Sequence, residues 1–354
     1  MSMNPSQRMK ISISIPQYNR IEVLLKSLNY ISRQTYPDIE VVVSDDCSTD
    51  DTESEIKKLQ PVYKYPLVYF RFDTNHGYDR NLRKSIEIAT GDYCFIIGND
   101  DTIFGEESIA QLVEFLEAND RPEIGYCNFL EGEYSQTLVN RALETKVQGS
   151  GINCALNHVN GFSFVGGIII RRDAFNQYNT DRYDGSIYSQ MYLGLYMVAK
   201  GCRLFTMATP MVLKDLQFKD GSVSWSPVRN ALPTTWSTAK NIKSGLLSVL
   251  NVLIAACVDA KTEGEDFVYH IMKRMYSVTF PYWVVQYKHN GNYYTALGLI
   301  SEMNPWSNLN FRKMKAWPKL KIFSLFIGTS IGGLLLPFSV FTKLQSRLYQ
   351  WVRR

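Results

Sequence analysis

Between residues 10 and 118, short apolar runs rich in β-branched residues alternate with segments of helical spacing, and only short polar stretches separate them. No other feature constrains the fold as much. Consecutive strands joined by helices must run parallel, and the helices must cover the sheet. Residues 10–15, Lys-Ile-Ser-Ile-Ser-Ile, alternate strictly and read as a strand ended by Pro16-Gln17-Tyr18-Asn19-Arg20. Ile21, Leu24, Leu25, Leu28 and Ile31 then fall on one helical face. Residues 39–44 form a second strand around Val41-Val42-Val43. The loop Asp45-Asp46-Cys47-Ser48-Thr49-Asp50 supplies caps for a helix over 52–59. A third strand is expected over 67–72, a helix over 80–89, a fourth strand over 93–97 and a helix over 108–118. The expectation is an α/β fold: a mostly parallel sheet with helices on both faces. Ligands of such sheets bind beyond the carboxyl ends of the strands. Three polar clusters, Pro16–Arg20, Asp45–Asp50 and Gly98–Asp101, should meet there.

The rest of the chain is less regular. A strand is expected over 165–170 and a helix over 188–200. Past about residue 235 the pattern becomes helical and aromatic, over 236–257, 266–287 and 293–303, with a boundary near Pro227–Pro233. The expected domains are therefore 1–230, with halves 1–105 and 106–230, and a helical, basic region over 231–354. Six cysteines show no CxxC pair, which argues against a disulfide framework or zinc site and fits a cytoplasmic protein. The four histidines show no metal-binding spacing. The first ten residues lack an apolar h-region, so no signal peptide is expected.

Charge is unevenly placed. Nine basic residues and no acidic one follow Glu302, so the preceding residues, with 29 basic against 34 acidic, are net acidic. An acidic body argues against nucleic-acid binding, and a basic tail implies an anionic partner. Residues 322–341 carry no charge. That is about the length that spans a bilayer. Gly328, Gly332, Gly333 and Pro337 interrupt it, and Lys319, Lys321, Lys343 and Arg347 flank it. Monotopic or re-entrant attachment is preferred to a full span or a buried helical hairpin.

The clusters suggest a chemistry. Asp100 and Asp101 follow an apolar strand on a short turn and suit a hard divalent cation, Mg²⁺ or Mn²⁺. Such a cation neutralises a departing diphosphate. Asp45 and Asp46 offer acceptors for a pyrimidine N–H or a ribose hydroxyl. Tyr18, between Pro16 and Asn19, offers a flat ring to a nucleobase. Arg80, with Arg83 and Lys84, opens a helix near the crevice and is a candidate diphosphate contact. Lys214, Lys219 and Trp225 fall in a candidate lid loop. Each cluster alone has a plain structural reading as a cap, a turn or a solvated face.

In order and spacing, these segments resemble glycosyltransferase family 2, with its Rossmann-like GT-A fold. The matching pieces are Ile13-Ser14-Ile15-Pro16-Gln17-Tyr18-Asn19, Gln34-Thr35-Tyr36-Pro37-Asp38-Ile39-Glu40, Asp45-Asp46-Cys47-Ser48-Thr49-Asp50, Asn75-His76-Gly77, Ala89-Thr90-Gly91-Asp92-Tyr93 and the turn Asn99-Asp100-Asp101. The resemblance implies Tyr18 stacking on the base, Asp46 binding it, Asp100 contacting ribose or metal, and Asp101 as principal metal ligand. Pro16, Asn19, Asp45, Arg80, Asn81 and Asn99 complete the expected donor site. The spacing Asn75-x-Gly77-x-Asp79-x-Asn81 with Ile97-Gly98-Asn99-Asp100-Asp101 is similar to a subgroup containing abequosyltransferase-like O-antigen enzymes. Those transfer dideoxyhexoses to lipid-linked oligosaccharides.

Two departures stand out. Asn99, a neutral ligand, occupies the first position of the metal turn. The Glu-Asp pair that carries the base in inverting members falls on Ser189-Gln190. Either Asp184 or Asp181 supplies the base, or the reaction retains configuration, the leaving phosphate takes the acceptor proton and Gln190 orients a substrate. The second is preferred. The sequence therefore predicts a nucleotide-sugar glycosyltransferase with a lipid-linked oligosaccharide acceptor, bound peripherally or monotopically at the cytoplasmic face of the inner membrane. The rivals are a nucleotidyltransferase, disfavoured by the lack of glycine in residues 11–20, and a non-catalytic binding protein on the same fold. Oligomeric state is left open.

Overall fold

The computed structural model describes residues 8–223, 235–239, 244–261 and 267–344. Contacts divide the chain into two units, Met1–Trp225 and Ser226–Arg354. The expected boundary near Pro227–Pro233 lies outside the described residues, as do Trp225, Arg347 and the basic residues after it.

The first half of unit one follows the alternation. Strands β1 (Ile11–Gln17), β2 (Ile39–Asp45), β3 (Leu67–Arg71) and β4 (Tyr93–Ile96) are joined through helices α1 (Ile21–Ile31), α2 (Thr52–Leu59) and α3 (Tyr78–Glu87). All four strands are parallel, in the spatial order β3-β2-β1-β4. The chain winds outward from β1 to β3 and then returns to the other side of β1. The sheet reverses its winding between β1 and β4, which opens a crevice at their carboxyl ends. Register aligns those ends: Gln17 pairs with Asp45. Ile11, Ile13, Ile15, Val41 and Val43 are fully buried in the core, and Ser12 and Ser14 are buried too, as a sheet covered on both faces requires.

The second half departs from a simple parallel sheet. Two long strands that the alternation does not announce, β6 (Ile124–Glu131) and β10 (Leu204–Lys214), pair in parallel, and β9 (Ile168–Arg171) lies antiparallel between β4 and β6. The two-residue strand β5 (Thr102–Ile103) runs antiparallel to the end of β10, while β7 (Thr137–Val139) and β8 (Lys146–Gly149) add to β6 and β10. Four helices complete the unit: α4 (Ser108–Ala118), α5 (Ile152–His158), α6 (Arg172–Tyr178) and α7 (Ser189–Ala199). The β5–β10 pairing matters most for function. It brings Asp215, just past β10, onto the acidic turn just before β5.

Unit two is helical: α8 (Trp236–Ala239), α9 (Leu246–Ala260), α10 (Phe267–Arg274), α11 (Phe280–Asn290), α12 (Tyr293–Glu302), α13 (Leu309–Lys313), α14 (Ala316–Leu335) and α15 (Phe338–Leu344). A π-helical turn, Met275–Thr279, joins α10 to α11 just before Pro281, which has no N–H for the helical ladder. Tyr276, Phe280 and Phe326 pack with ring centroids 5.6–5.8 Å apart and anchor α14 to this bundle. Among the described residues no single helix is long and apolar enough to cross a membrane. α14 and α15 qualify only as a pair, bent by 117°.

Candidate active site

At the end of β1 the chain makes a sharp turn in which Asn19 and Arg20 both have positive φ, 54° and 61°. This backbone is costly for non-glycine residues and persists where its surroundings fix it. Here the Asn19 N–H donates to Ser48 Oγ at 2.8 Å, and Asn19 Oδ1 accepts from the Thr49 N–H at 2.8 Å. Asn19 thus locks the β1 and β2 loops together. Pro16 is buried within β1 opposite Ser44, and the strand runs one residue further, to Gln17 opposite Asp45. The turn leaves the Tyr18 side chain 45% exposed at the mouth of the crevice and aims Arg20 at the acidic turn. The Arg20 guanidinium lies 3.3 Å from Asp100 Oδ2 and donates to Asn99 Oδ1 at 3.2 Å.

The two β2 carboxylates serve different masters. Asp45 is fully buried and accepts from the Ser48 N–H and the Tyr69 hydroxyl, so it braces the loop. Both oxygens of Asp46 accept backbone hydrogen bonds, from His76 N–H at 2.7 Å and Gly77 N–H at 2.8 Å. Charge-assisted bonds of this kind are worth about 1.5–3 kcal/mol each. They draw the Asn75–Gly77 turn and the start of α3 to the crevice. There Tyr78, on the first turn of α3, is half-buried, and its hydroxyl pKa is raised by desolvation and by the charges of Asp79, Asp101 and Asp100.

In the acidic turn itself, Asn99 Nδ2 donates to Gln17 Oε1 at 2.9 Å, so the side chain is tied into the end of β1. Asp101 is 2% exposed; its Oδ1 accepts from the Asp215 N–H at 3.2 Å and its Oδ2 from the Gly98 N–H at 3.3 Å. A Cβ on Gly98 would lie 2.8 Å from Asp101 Oδ2 and 3.0 Å from Asp100 Oδ1, so the two carboxylates converge on one side of the turn. Burial pushes both carboxyls up, that of Asp101 well above the usual range. The charge of Asp100 adds to it at Asp101 and that of Asp215 at both, while Lys214 opposes it at both and Arg20 at Asp100. A divalent cation would relieve this electrostatic cost. Two carboxylates with free positions for phosphate oxygens and water are a donor set that suits Mg²⁺ or Mn²⁺. Among the described residues no group of three or more His, Cys, Asp or Glu side chains forms a complete metal cage.

Over Asp101 lies the loop Phe164-Val165-Gly166-Gly167. A Cβ on Gly166 would sit 2.9 Å from Asp101 Oδ2 and 2.7 Å from the Phe164 ring. The loop is held by Arg141, whose guanidinium donates to the carbonyls of Cys127, Gly161, Phe164 and Gly166 at 2.6–3.0 Å. The rings of Tyr126, Phe129 and Phe164 surround it. Burial lowers the Arg141 pKa, and the field of Asp101 acts against that.

The other expected residues fall along α3 and α7. Asn81 Nδ2 donates to the Gln17 carbonyl at 2.9 Å, and Asn81 Oδ1 is buried without a partner. Arg80 is ion-paired with Glu87 at 2.8 Å, so a diphosphate would have to replace that partner. Arg83 makes a two-point pair with Asp184, at 2.9 and 2.6 Å, which occupies both carboxylate oxygens of that candidate base. Asp181 is exposed in the same loop. Lys84 lies over the Phe70 ring at 4.4 Å. Asp79 accepts from the N–H groups of Ile187 and Ser189 and so fastens the start of α7 to α3. On that first turn Gln190 is 8% exposed, and its Oε1 has no hydrogen-bond partner. Lys214 ends β10, paired with Asp215 and Glu131, and the Lys219 N–H donates to Glu22, so the candidate lid is fastened at both described lysines.

The sequence assigned no individual role to Arg20, Tyr78, Arg141, Gly166 or Asp215. Arg20 and Tyr78 adjoin motifs already singled out. Arg141 and Asp215 depend on β6 and β10, which carry no local signal.

Residues 12–178 match the family model Glycosyl transferase family 2. The chain is 30% identical over 224 residues to abequosyltransferase RfbV of Salmonella typhimurium, which covers 58% of this chain and 66% of that protein. It is 26% identical over 136 residues to GalNAc(5)-diNAcBac-PP-undecaprenol beta-1,3-glucosyltransferase of Campylobacter jejuni, covering 38% and 44%. The chain thus spans less than two thirds of each relative. The fold is similar to the crystal structure of S. aureus TarS 1-349, with a TM-score of 0.59, 15% identity and coverage of 92% and 91%. It is also similar to the mannosyltransferase PcManGT from Pyrobaculum calidifontis in complex with GDP-Man and Mn²⁺, with a TM-score of 0.50, 14% identity and coverage of 95% and 90%. These likenesses agree with the α/β, GT-A expectation.

Proposed function

We propose that this chain, placed in glycosyltransferase family 2 by residues 12–178, transfers a sugar from a nucleotide donor to a polyprenyl-diphosphate-linked saccharide in O-antigen or other surface-polysaccharide synthesis. One observation carries the reading: the Pro16–Arg20 turn, Asp46 with the Gly77–Tyr78 turn, and Asn99-Asp100-Asp101 meet at the point where the sheet reverses its winding. Tyr18 would stack on the base and Asp46 would accept from it, while the buried Asp45 braces the loop that carries Asp46. Asp100 and Asp101 would hold Mn²⁺ or Mg²⁺, with Asn99 shaping the turn and tying it to Arg20. The cation would neutralise the departing diphosphate. The relatives support the acceptor class, since one is named for a substrate carried on PP-undecaprenol. A dideoxyhexose donor is the finer reading suggested by the abequosyltransferase likeness. Attachment of unit two to the cytoplasmic face of the inner membrane would bring the site to such an acceptor and raise its effective concentration.

The retaining reading is preferred over a base at Asp184, because both oxygens of Asp184 are engaged by Arg83 and Gln190 cannot take a proton; an inverting displacement would have to use the exposed Asp181. The test is a thermal-shift screen of nucleotide sugars with Mn²⁺, then turnover of the selected donor by wild type and Asp101→Ala. Metal-dependent turnover abolished by the substitution is expected. Absence of turnover with every donor would favour a non-catalytic protein on this fold. Product-linkage NMR decides the stereochemistry: a β-linked product from an α-donor overturns the retaining reading.

A further inference from the structure

Unit two offers a surface that the donor chemistry leaves unexplained. One face of α14, with Ile322, Phe326, Ser330 and Gly333, is buried in the bundle. The opposite face exposes Trp317, Leu320, Ile327, Ile331 and Leu335 at helical spacing, with Leu335 73% exposed. Val340 and Leu344 on α15 are exposed as well. Scattered exposed apolar residues are ordinary, but a continuous stripe along about five turns is not.

The bend between α14 and α15 is built into the protein. The Lys288 ammonium, from α11, donates to the carbonyls of Gly333, Leu334 and Leu336 at 2.7–3.1 Å. Those are the carbonyls that the end of α14 leaves without helical partners. The Tyr293 hydroxyl donates to Leu334 O at 2.8 Å, and the His289 ring stacks on Phe338 at 3.5 Å. Gly333 packs so close to α11 that a Cβ there would lie 2.7 Å from Val284 Cγ1. Four side chains of α11 and α12 hold this elbow. Straightening it into a span would abandon all of those contacts.

We infer that the outward stripe of α14 and α15 lies flat in the headgroup region of an anionic bilayer, as a monotopic elbow that does not cross it. The inference rests on the membrane-attachment reading above and assigns its face and mode. Charge selects the occupant. Lys313, Lys315, Lys319 and Lys321 surround the start of α14, and Lys343 stands on α15. Trp306 and Trp317 lie among the lysines, with Lys319 5.7 Å from the Trp306 ring and Lys321 5.2 Å from the Trp317 ring. Aromatic rings and lysines at the rim of an apolar stripe match a lipid interface. A second copy would set lysine collar against lysine collar, and residues 303–344 contain no acidic side chain to pair them.

The test uses the full chain with vesicles of phosphatidylethanolamine and phosphatidylglycerol, and with neutral phosphatidylcholine vesicles. Wild type should float with the anionic vesicles, and Trp317 emission should be quenched by shallow, not deep, brominated lipid. Ile327→Asp/Ile331→Asp should lower partitioning by at least about tenfold, with an unchanged melting temperature and unchanged turnover of soluble donor. Lys319→Gln/Lys321→Gln should weaken binding to anionic vesicles alone. No flotation of wild type would overturn membrane attachment altogether. Flotation unaffected by Ile327→Asp/Ile331→Asp would overturn this face and leave attachment to other residues. Deep quenching, or cysteines placed at 317 and 344 labelled from opposite sides of sealed vesicles, would overturn the elbow in favour of a span. A dimer in solution broken by the aspartates would make the stripe an interface between copies.

Discussion

Gly166→Ala tests whether the loop over the acidic turn sets the position of Asp101. The backbone at Gly166 lies outside the left-handed region, so alanine can adopt it. The new Cβ would lie 2.7 Å from the Phe164 ring and 2.9 Å from Asp101 Oδ2, where ordinary contact begins at about 3.4 Å. The ring is packed against Phe129 at 4.6 Å and the Arg141 guanidinium at 5.4 Å, and Asp101 is held by two backbone N–H groups. Neither neighbour yields freely, so each must shift by about half an ångström. Overpacking of this size costs about 1–3 kcal/mol, and the stiffer unfolded chain returns about 0.4–1 kcal/mol. A net loss of about 1–2 kcal/mol lowers the melting temperature by about 2–8 °C. Turnover should suffer more, because a misplacement of about 1 Å can cost about a hundredfold, so half of that costs about tenfold. Differential scanning fluorimetry and metal-dependent donor turnover read the two effects. Gly166→Ala/Phe164→Leu, which relieves the ring but not the carboxylate, should regain stability without regaining turnover. A variant with wild-type melting and wild-type turnover would refute the idea that this loop positions Asp101.

Four other outcomes follow from the same contacts. Burial pushes the Glu40 carboxyl up, but hydrogen bonds from Lys10, Ser12 and Thr90 outweigh it and hold its pKa at about 2, against 4.5 when unfolded. That difference corresponds to at most about 3 kcal/mol, fully present above pH 4.5 and lost as pH falls toward 2; Glu40→Gln should flatten this part of a urea-midpoint profile, and an unchanged profile would count against it. Asp101→Asn removes a carboxyl whose pKa burial and Asp100 raise, so its ionised form weakens the fold as pH rises above the ordinary 3.8. At pH 7.5 without metal the variant should melt at or above wild type, yet show no Mn²⁺-induced rise. Asp79→Ala removes the acceptor for Ile187 and Ser189 and should cost about 1–2 kcal/mol, with faster amide exchange confined first to the start of α7. Gln190→Glu should slow single-turnover transfer under the retaining reading, since a buried carboxylate repels the departing diphosphate; faster transfer rising with pH would favour an inverting displacement.

The parallel half of the fold was legible because each piece carries its own local signal. Strict alternation marks β1, β-branched residues mark β2, and a polar run marks the break before α2, whose N-cap residue, Asp51, makes no side-chain capping bond. The order of the pieces then determines where the crevice opens. The second half carries no such signal. β10 holds Pro210 and shifts register around it, and β9 is a short apolar run that a sequence reads as readily in a parallel setting as in an antiparallel one. Contacts that depend on this half, such as Asp215 on Asp101 and Arg141 on the loop over the turn, join residues far apart in the chain. Charge alone does not show a side chain's partner. Arg80 and Arg83 are candidate diphosphate contacts in the sequence, and the structure pairs them with Glu87 and Asp184, partners that a diphosphate would have to displace. Conversely, Arg20 gave no signal beyond its place in a turn, and only two successive positive φ values explain why it reaches the acidic pair.

The missing base is best judged by what the fold leaves unsatisfied. An amide oxygen buried without a partner costs about 1–3 kcal/mol, and a fold keeps such a group where something else completes it. Gln190 Oε1 is one such atom, at the start of a helix that Asp79 fastens to α3, and Asn81 Oδ1 is another, on α3 itself. Both are acceptors, so each calls for a hydroxyl or N–H donor, which sugars and nucleosides supply. An amide can orient a hydroxyl but cannot take its proton. A substrate hydroxyl held by Gln190 would then lose its proton to another group: with Asp184 paired to Arg83, that group would be the exposed Asp181 or, in the retaining reading, the departing phosphate oxygen. Ser189-Gln190 in place of an acidic pair is coherent with the retaining reading: the acidic turn with a cation would stabilise the leaving group, while the amide would position the nucleophile that the leaving group would deprotonate.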